Sequence, residues 1–392
     1  MDFQSVNPLN VRLNIISGNL LTMTADNTSF STHWRIYSVL MWLLQIVIEI
    51  ALIFGCLYVP KEKALQDGMI CIVVSAEMFF IFLRLHACRD LEAQVIRRIN
   101  DILRVADDTM KSIVITTMQP VQTPLQFYLI AGVISIIAWN CVPLVLLFEK
   151  DVFCYEDYRI PVAFSDQPFS TTTFLLGTFV LSVGTLYTFL KKVGVDVYMV
   201  HMVLMLTAQY RYIAVRMTTI FQNRNKNNEY QKTGSSEWEK TEMKALCQHH
   251  NTLIHITLLL KEILSLNFSV LYMNGVLRFC FIGIMMSAIP STTFWEAVSI
   301  LMYASGAIVQ LYILCSCVQQ LLDASTEVTD EAFHHKWYMC QSPIKKIFML
   351  IIMANNLECK LATFEKFNLS LPSFMMILNQ SYSIAVLFLK MK

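Results

Sequence analysis

The chain is short of charge. Of its 392 residues, 30 are Lys or Arg and 29 are Asp or Glu, 15% in all, against about 25% in an ordinary soluble domain. The two signs nearly cancel, to a net charge of +1, so there is no electrostatic case for nucleic acid. The motifs of catalysis are missing as well. No nucleophile–His–acid set, P-loop or dinucleotide fingerprint is present, and nothing argues for an enzyme or a cofactor. Cys315-Ser316-Cys317 has a metal-like spacing, but it lies in an apolar stretch with no nearby His. His249, His250, His255, His334 and His335 read as solvated or packed rather than as metal ligands. The 11 Cys are scattered; Cys154 stands alone in a short loop with Cys56 its one near neighbour, and no disulfide is assigned. A secretory signal is also missing. The first 33 residues carry Asp2, Arg12 and Asp26 and lack a basic start followed by an apolar run, so the first apolar span is expected to act as its own insertion signal.

What is abundant is apolar sequence: 55% of residues, with a mean hydropathy of +0.51. A membrane helix needs ~20 mostly apolar residues, and seven stretches qualify: 36–58, 68–86, 126–148, 170–190, 267–289, 295–317 and 371–389. The expectation is an all-α polytopic membrane protein of seven spans. Glu49, Glu77, Arg84 and Arg278 fall inside them and are expected to face the bundle interior, paired or snorkelling. Glu77 and Arg84, seven apart, share a helix face. The connections are lopsided. Residues 1–35, 87–125, 191–266 and 318–370 lie on one side of the membrane, and this side holds 22 of the 30 Lys+Arg, which favours it as cytoplasmic. That places the N-terminus inside and the C-terminus outside, the reverse of G-protein-coupled receptors. The sequons at Asn27, Asn267, Asn368 and Asn379 all avoid the expected outer loops, consistent with this topology.

The long-side segments are more than loops. Residues 193–218 and 243–266 keep apolar residues at helical spacing, as in Leu246, His250, Leu253, Ile256 and Leu260, so they read as extensions of spans four and five beyond the membrane. Between them, 222–240 is polar and expected to be disordered. The run 344–354 is a further apolar helix, too short to span, whose Phe348 and Ile351 are expected to bury against other subunits. The division expected is an N-terminal segment 1–35, spans and extensions 36–317, anchor helices 318–370 and a last helix 371–392. That last helix carries Asn379, Gln380, Ser381 and Ser383 mid-span, and polar groups at that depth need protein or water beside them.

The last third carries a further pattern: QLYILC at 310–315, Ser325, Trp337, KKIFMLIIM at 345–353, FEKFNLSLPSF at 364–374 and SYS at 381–383. It closely resembles the insect odorant receptor family. RIPVAF at 159–164 is similar to the family's Arg-x-Pro outer loop, and 196–213 to its segment after span four. The chain departs from the family at 318–320, where Val-Gln-Gln replaces the common Gly-Glu, and at its ending, Leu387-Phe388-Leu389-Lys390 rather than Leu-Leu-Arg. The resemblance implies an odorant-gated, non-selective cation channel subunit in the plasma membrane of olfactory sensory neurons. It further implies a heterotetramer with a co-receptor, the seventh helix lining the pore and the odorant bound among spans two to six. The chain lacks the co-receptor's large insertion between spans four and five, so it resembles a tuning subunit. The alternatives are a gustatory-type receptor channel, whose ending differs, or a transporter, for which no internal repeat is visible.

Odorants are small and apolar, so a mostly apolar, aromatic pocket with few polar anchors is expected. Gly132, Ser135 and Trp139 share one face of span three. Phe79, Phe80 and Leu83 lie in span two at comparable depth, with Phe174, Gly177 and Leu181 in span four and Ser299, Met302 and Tyr303 in span six. Ordinary helix packing accounts for the same residue types. In the last helix Ala385, Phe388 and Leu389 fall at i, i+3, i+4; as a ring about a pore they would exclude water and ions, with Asn379, Gln380 and Ser383 brought to bear on opening. The competing reading of that stripe is a lipid-facing one.

Overall fold

A computed structural model describes residues 1–24, 30–227, 235–334, 342–355 and 369–390. Asn27, the middle of the polar 222–240 segment, Trp337 and the 364–368 part of the family-like run lie outside the described residues. Among the described residues, seven helices are long and apolar enough to cross a membrane. The first span is α3 (Thr32–Tyr58), the second α4 (Met69–Ala87) and the third α6 (Asp108–Cys141). The fourth is α7 (Thr171–Asn227), the fifth α8 (Ser235–Ser287), the sixth α9 (Phe294–His334) and the seventh α11 (Leu371–Lys390). Two short helices, α1 (Phe3–Val6) and α2 (Pro8–Ile16), precede them; α5 (Arg89–Arg104) follows span two, and α10 (Ser342–Asn355) lies before span seven.

The expected extensions of spans four and five are continuous with them. α7 runs 57 residues and α8 runs 53, so at 1.5 Å per residue each is roughly 80 Å long, more than twice a hydrocarbon core. Span three also begins well before its apolar stretch, at Asp108, where the Asp107 side chain accepts the Met110 N–H at 2.8 Å and caps the helix. Pro120 and Pro124 therefore lie inside the helix, below the part read as the span. Pro143 sits at its other end and opens a 3-10 stretch, Val142–Phe148, because proline cannot supply the N–H that an α-turn needs.

The long-helix end is a packed layer. In α7 every residue from Val193 to Tyr210 is buried, which accounts for the lack of amphipathic contrast in that run. The N-terminal segment is part of this layer: Phe3 is buried and stacks on His201 at 4.1 Å, and Asn10 Nδ2 lies 2.9 Å from His201 Nδ1. α10 corrects one expectation. Phe348 and Ile351 are buried within the same chain, Phe348 against Phe221 at 5.2 Å, while Met349, Leu350 and Met353 form the exposed face. At the short-loop end, a two-stranded ribbon pairs β1 (Val152–Phe153) with β2 (Phe169–Ser170) and pins the loop that carries Arg159 over the bundle.

Candidate functional site

A cavity of about 100 Å³ lies between the helices in the half of the bundle nearest the short loops. Its wall combines Ile48, Glu49 and Leu52 of span one with Ile70, Cys71, Val74 and Ser75 of span two. Span three adds Ile136, Trp139 and Asn140, span four Leu181, Thr185, Thr188 and Phe189, span six Tyr303, and the loop Ile160 and Val162. Most of the surface is apolar, as a small-molecule site requires. Trp139 and Tyr303 meet edge to face at 5.9 Å, the favoured geometry for an aromatic pair.

The polar atoms fall in two groups. Asn140 Nδ2 donates to Thr185 Oγ1 at 3.1 Å and to the Ile136 carbonyl at 2.8 Å. Gln45 Nε2 donates to Glu49 Oε1 at 2.5 Å, and the Thr188 hydroxyl donates to Gln45 Oε1. Among the described residues no cation stands within 4 Å of the Glu49 carboxyl, and the buried Trp139 Nε1–H has no acceptor. A buried donor left unpaired costs about 1–3 kcal/mol, a cost that a bound acceptor would remove.

The expected residues divide clearly. Trp139, Leu181 and Tyr303 are on the wall. Gly132 stands behind it: a methyl there would collide with the Phe189 ring, which lines the cavity. Ser135 is spent on structure, donating to the Ser299 carbonyl at 3.0 Å, and Ser299 donates to the Trp295 carbonyl at 2.9 Å. Phe174 stacks on Phe153 at 4.2 Å and on Tyr158 at 5.0 Å, and Gly177 makes room for the Tyr158 hydroxyl; both support the loop. Burial there pushes the Tyr158 phenol up to about 12, so it stays neutral. Met302 is half-buried and off the wall. Phe79 packs on Trp42 at 5.3 Å, and Phe80 and Leu83 are exposed on the outside of the bundle. Span two meets the cavity higher, at Ile70–Ser75, because its helical run starts at Lys61 and passes through a π-helical turn, Ala64–Gly68, before α4. Glu49 stands out in sequence as an ionisable residue in a span, but its place on the cavity wall depends on how span one packs against spans two and four.

Directly below the cavity lies a node of buried charge. Lys192 Nζ is 2.5 Å from Glu77 Oε1 and 2.9 Å from Asp196 Oδ1. Asp196 Oδ2 accepts from Tyr128 at 3.2 Å and from Gln310 Nε2 at 2.5 Å, and Arg278 Nη1 donates to Gln310 Oε1 at 2.6 Å. Two carboxylates and two cations balance, and the node ties spans two, three, four, five and six together. Glu77 and Arg278 thus face the interior, paired or hydrogen-bonded. Arg84 donates to the Glu262 carbonyl at 3.1 Å instead of meeting Glu77.

In α11 the buried face is Ser373, Ile377, Ser381 and Ala385, packed against span five, where Gly275 faces Ile377 and Gly283 faces Ala385. Ala385 therefore does not share a free face with Phe388 and Leu389, which are exposed. The exposed face runs Met376, Asn379, Ser383, Leu387. Gln380 Oε1 accepts from Tyr272 of span five at 3.4 Å.

Seven helices able to span a membrane, several of them far longer than a span needs, a cavity between them and a last helix packed on span five define a polytopic helical bundle. The particular family follows from sequence: a profile of the 7tm Odorant receptor family matches residues 63–382, and the chain belongs to that family. Among curated proteins it is similar to putative odorant receptor 85d of Drosophila melanogaster, 24% identical over 149 residues, 38% of this chain and 36% of that one. It is also similar to odorant receptor 67a of the same fly, 24% identical over 140 residues, 36% and 34% of the two chains. These matches span about a third of each relative's length. The fold is that of the insect olfactory receptor OR5 from Machilis hrabei, with a TM-score of 0.79 over all of both chains at 11% identity. The same receptor in complex with eugenol aligns with a TM-score of 0.76, again at 11% identity and over all of both chains.

Proposed function

We propose that the chain is an odour-tuned subunit of an odorant-gated cation channel, opening a central pore together with a co-receptor in the plasma membrane of olfactory sensory neurons. The observation that carries this reading is the apolar cavity between the helices in a chain of the odorant receptor family. A cavity of this size is comparable to the ~150 Å³ that holds one benzene ring, so the ligand is a single ring or a short chain unless Phe189 or Tyr303 swings aside. The unpartnered Trp139 N–H and the cation-free Glu49 carboxyl favour a ligand with one hydrogen-bonding head on an apolar body.

The short loops face outward and the long helices inward. α11 lines the pore with its exposed face, so Asn379 and Ser383 are the polar pore positions and Leu387 is the apolar constriction, with Phe388 and Leu389 at the outer mouth. Exposed Met349, Leu350 and Met353 of α10 make contact with neighbouring subunits on the cytoplasmic side. The test is two-electrode recording from cells expressing this chain alone, the co-receptor alone, and both, against a panel of C4–C8 alcohols, ketones and esters plus small aromatics. Odorant-evoked cation current is expected only with both subunits. Equal responses from the co-receptor alone, or uptake of a probe without current, would remove the channel reading.

A further inference from the structure

A second void of about 620 Å³ opens at the short-loop end, lined by residues next in sequence to those that line the cavity. Cys141 and Arg159 face the outer void, while their neighbours Asn140 and Ile160 face the inner one. The Arg159 guanidinium lies over the Trp139 ring, 5.6 Å from its centre, so this side chain sits between the two spaces. It is held from both sides: Nη2 is 3.3 Å from Asp67 beside span two, and Nη1 is 3.0 Å from Glu296 at the start of span six. We infer that Arg159 is a latch, and that ligands reach the cavity from the outer void when it lets go of Asp67 and Glu296. This rests on the cavity being the odorant site.

Three features make the latch reversible. First, neither acid is stranded when Arg159 leaves. Asp67 keeps Lys63 at 2.9 Å, and Glu296 keeps the Thr293 N–H at 3.0 Å. Stranding a buried charge is what makes most interior ion pairs costly to break, and that cost is absent here. Second, the released guanidinium has other partners, because Glu149, Glu156 and Asp157 line the outer void. Third, the backbone on which Arg159 sits is anchored close by. The Ala163 N–H donates to the Ala51 carbonyl at 2.9 Å, and the Pro161 backbone presses onto Gly55 with no space for a side chain there, while the Pro161 ring stands 3.3 Å from where a Gly68 Cβ would lie. Motion is thus confined to the Arg159 side chain rather than spread through the loop. The π-helical turn that carries Asp67 is a kind of irregularity often found at functional sites.

A latch changes how fast ligand enters and leaves, and leaves the depth of the bound state alone. In cells expressing this chain with its co-receptor, Arg159→Gln and Glu296→Gln are compared with wild type under rapid solution exchange. The probe is the strongest agonist from the panel above. Both the onset and the washout of current are expected to quicken on the order of 5-fold, as removal of one partly exposed ion pair from a barrier implies, with the half-maximal concentration changed by less than about 2-fold. A shifted half-maximal concentration with unaltered rates would make Arg159 a ligand contact or a prop, and would overturn the latch. Should both variants fail to reach the surface, the exposed thiol of Cys141 supplies the same test without touching the latch. With the other exposed outer thiol removed by Cys154→Ser, attaching a bulky methanethiosulfonate to Cys141 is expected to slow onset and washout together. Added Cys141→Ser should abolish that effect. Unchanged rates after modification would place the access route elsewhere. If wild type gives no current to any panel odorant, the channel reading fails first; if it responds and the rates do not move, the latch alone fails.

Discussion

The cavity and the charged node lie next to each other in the bundle and are built on opposite terms. In the node, four buried charges are matched by ion pairs and hydrogen bonds across five spans. In the cavity, among the described residues, the indole N–H of Trp139 has no hydrogen-bond partner and Glu49 is held by the Gln45 amide rather than by a cation. One region is complete without a ligand and resists rearrangement, since separating any pair leaves a charge in a low-dielectric interior. The other is incomplete and gains from being filled. The contrast separates a part of the protein that holds shape from a part that answers to chemistry, within two helical turns of the same spans.

The largest expected effect tests the rigid side. Lys192→Met leaves Glu77 and Asp196 buried without their shared cation, a loss of roughly 3–5 kcal/mol, and surface labelling is expected to fall to near background. Lys192→Gln combined with Glu77→Gln removes one charge of each sign and should restore much of the expression. If the single variant expresses normally, the node is not the fixed frame described above.

Next is the yielding side. Trp139→Ala enlarges the cavity and removes the partner of Tyr303, and odorant sensitivity is expected to shift ~10-fold or more, since a lost buried aromatic contact is worth roughly 1–3 kcal/mol. Surface labelling should survive. A dose–response curve unmoved for every active odorant would take Trp139 out of the site.

The last helix, α11, sharpens the comparison further. Leu387→Ser, on the exposed face, is expected to lower the dewetting barrier and to raise leak current or alter ion permeability, with odorant sensitivity unchanged. Phe388→Ser should do so less. Ala385→Leu, against Gly283, should instead reduce expression by overpacking, at a cost of about 1–3 kcal/mol. Leak from the Ala385 variant and none from Leu387 would reverse the assignment of faces.

The smallest effect concerns Glu92, buried in the first turn of α5 at the long-helix end. Burial pushes its carboxyl up to about 7. The folded state therefore favours the protonated form, and the stability this contributes is full below the ordinary value of 4.5 and is lost as the pH rises through about 7. Thermal unfolding in detergent should weaken between those limits, and Glu92→Gln should flatten that slope by an amount on the order of 2 °C. An unchanged slope would show that the site ionises freely.

Composition and periodicity carried the architecture. Seven apolar stretches with few charges permit little else, because backbone polar groups in lipid must be satisfied within a helix. The runs at 193–218 and 243–266 carried the continuation of spans four and five, since 243–266 keeps a helical period and 193–218 stays apolar well beyond the length of a span. Trp139, Leu181 and Tyr303 were also within reach, as aromatic and apolar residues on faces pointing inward at one depth. The rest depended on how the helices sit together. The cavity includes span one and the 159–163 loop because the loop is pressed onto Gly55 and Gly68, an approach between distant segments with no local signature. Ala385 turned out to face span five because the exposed and buried sides of α11 are set by where Gly275 and Gly283 leave room, not by spacing along α11. The pairing of Glu77 with Lys192 rather than Arg84 follows the same rule. Periodicity places residues on a face of their own helix, but only the packing of one helix on another says what that face meets.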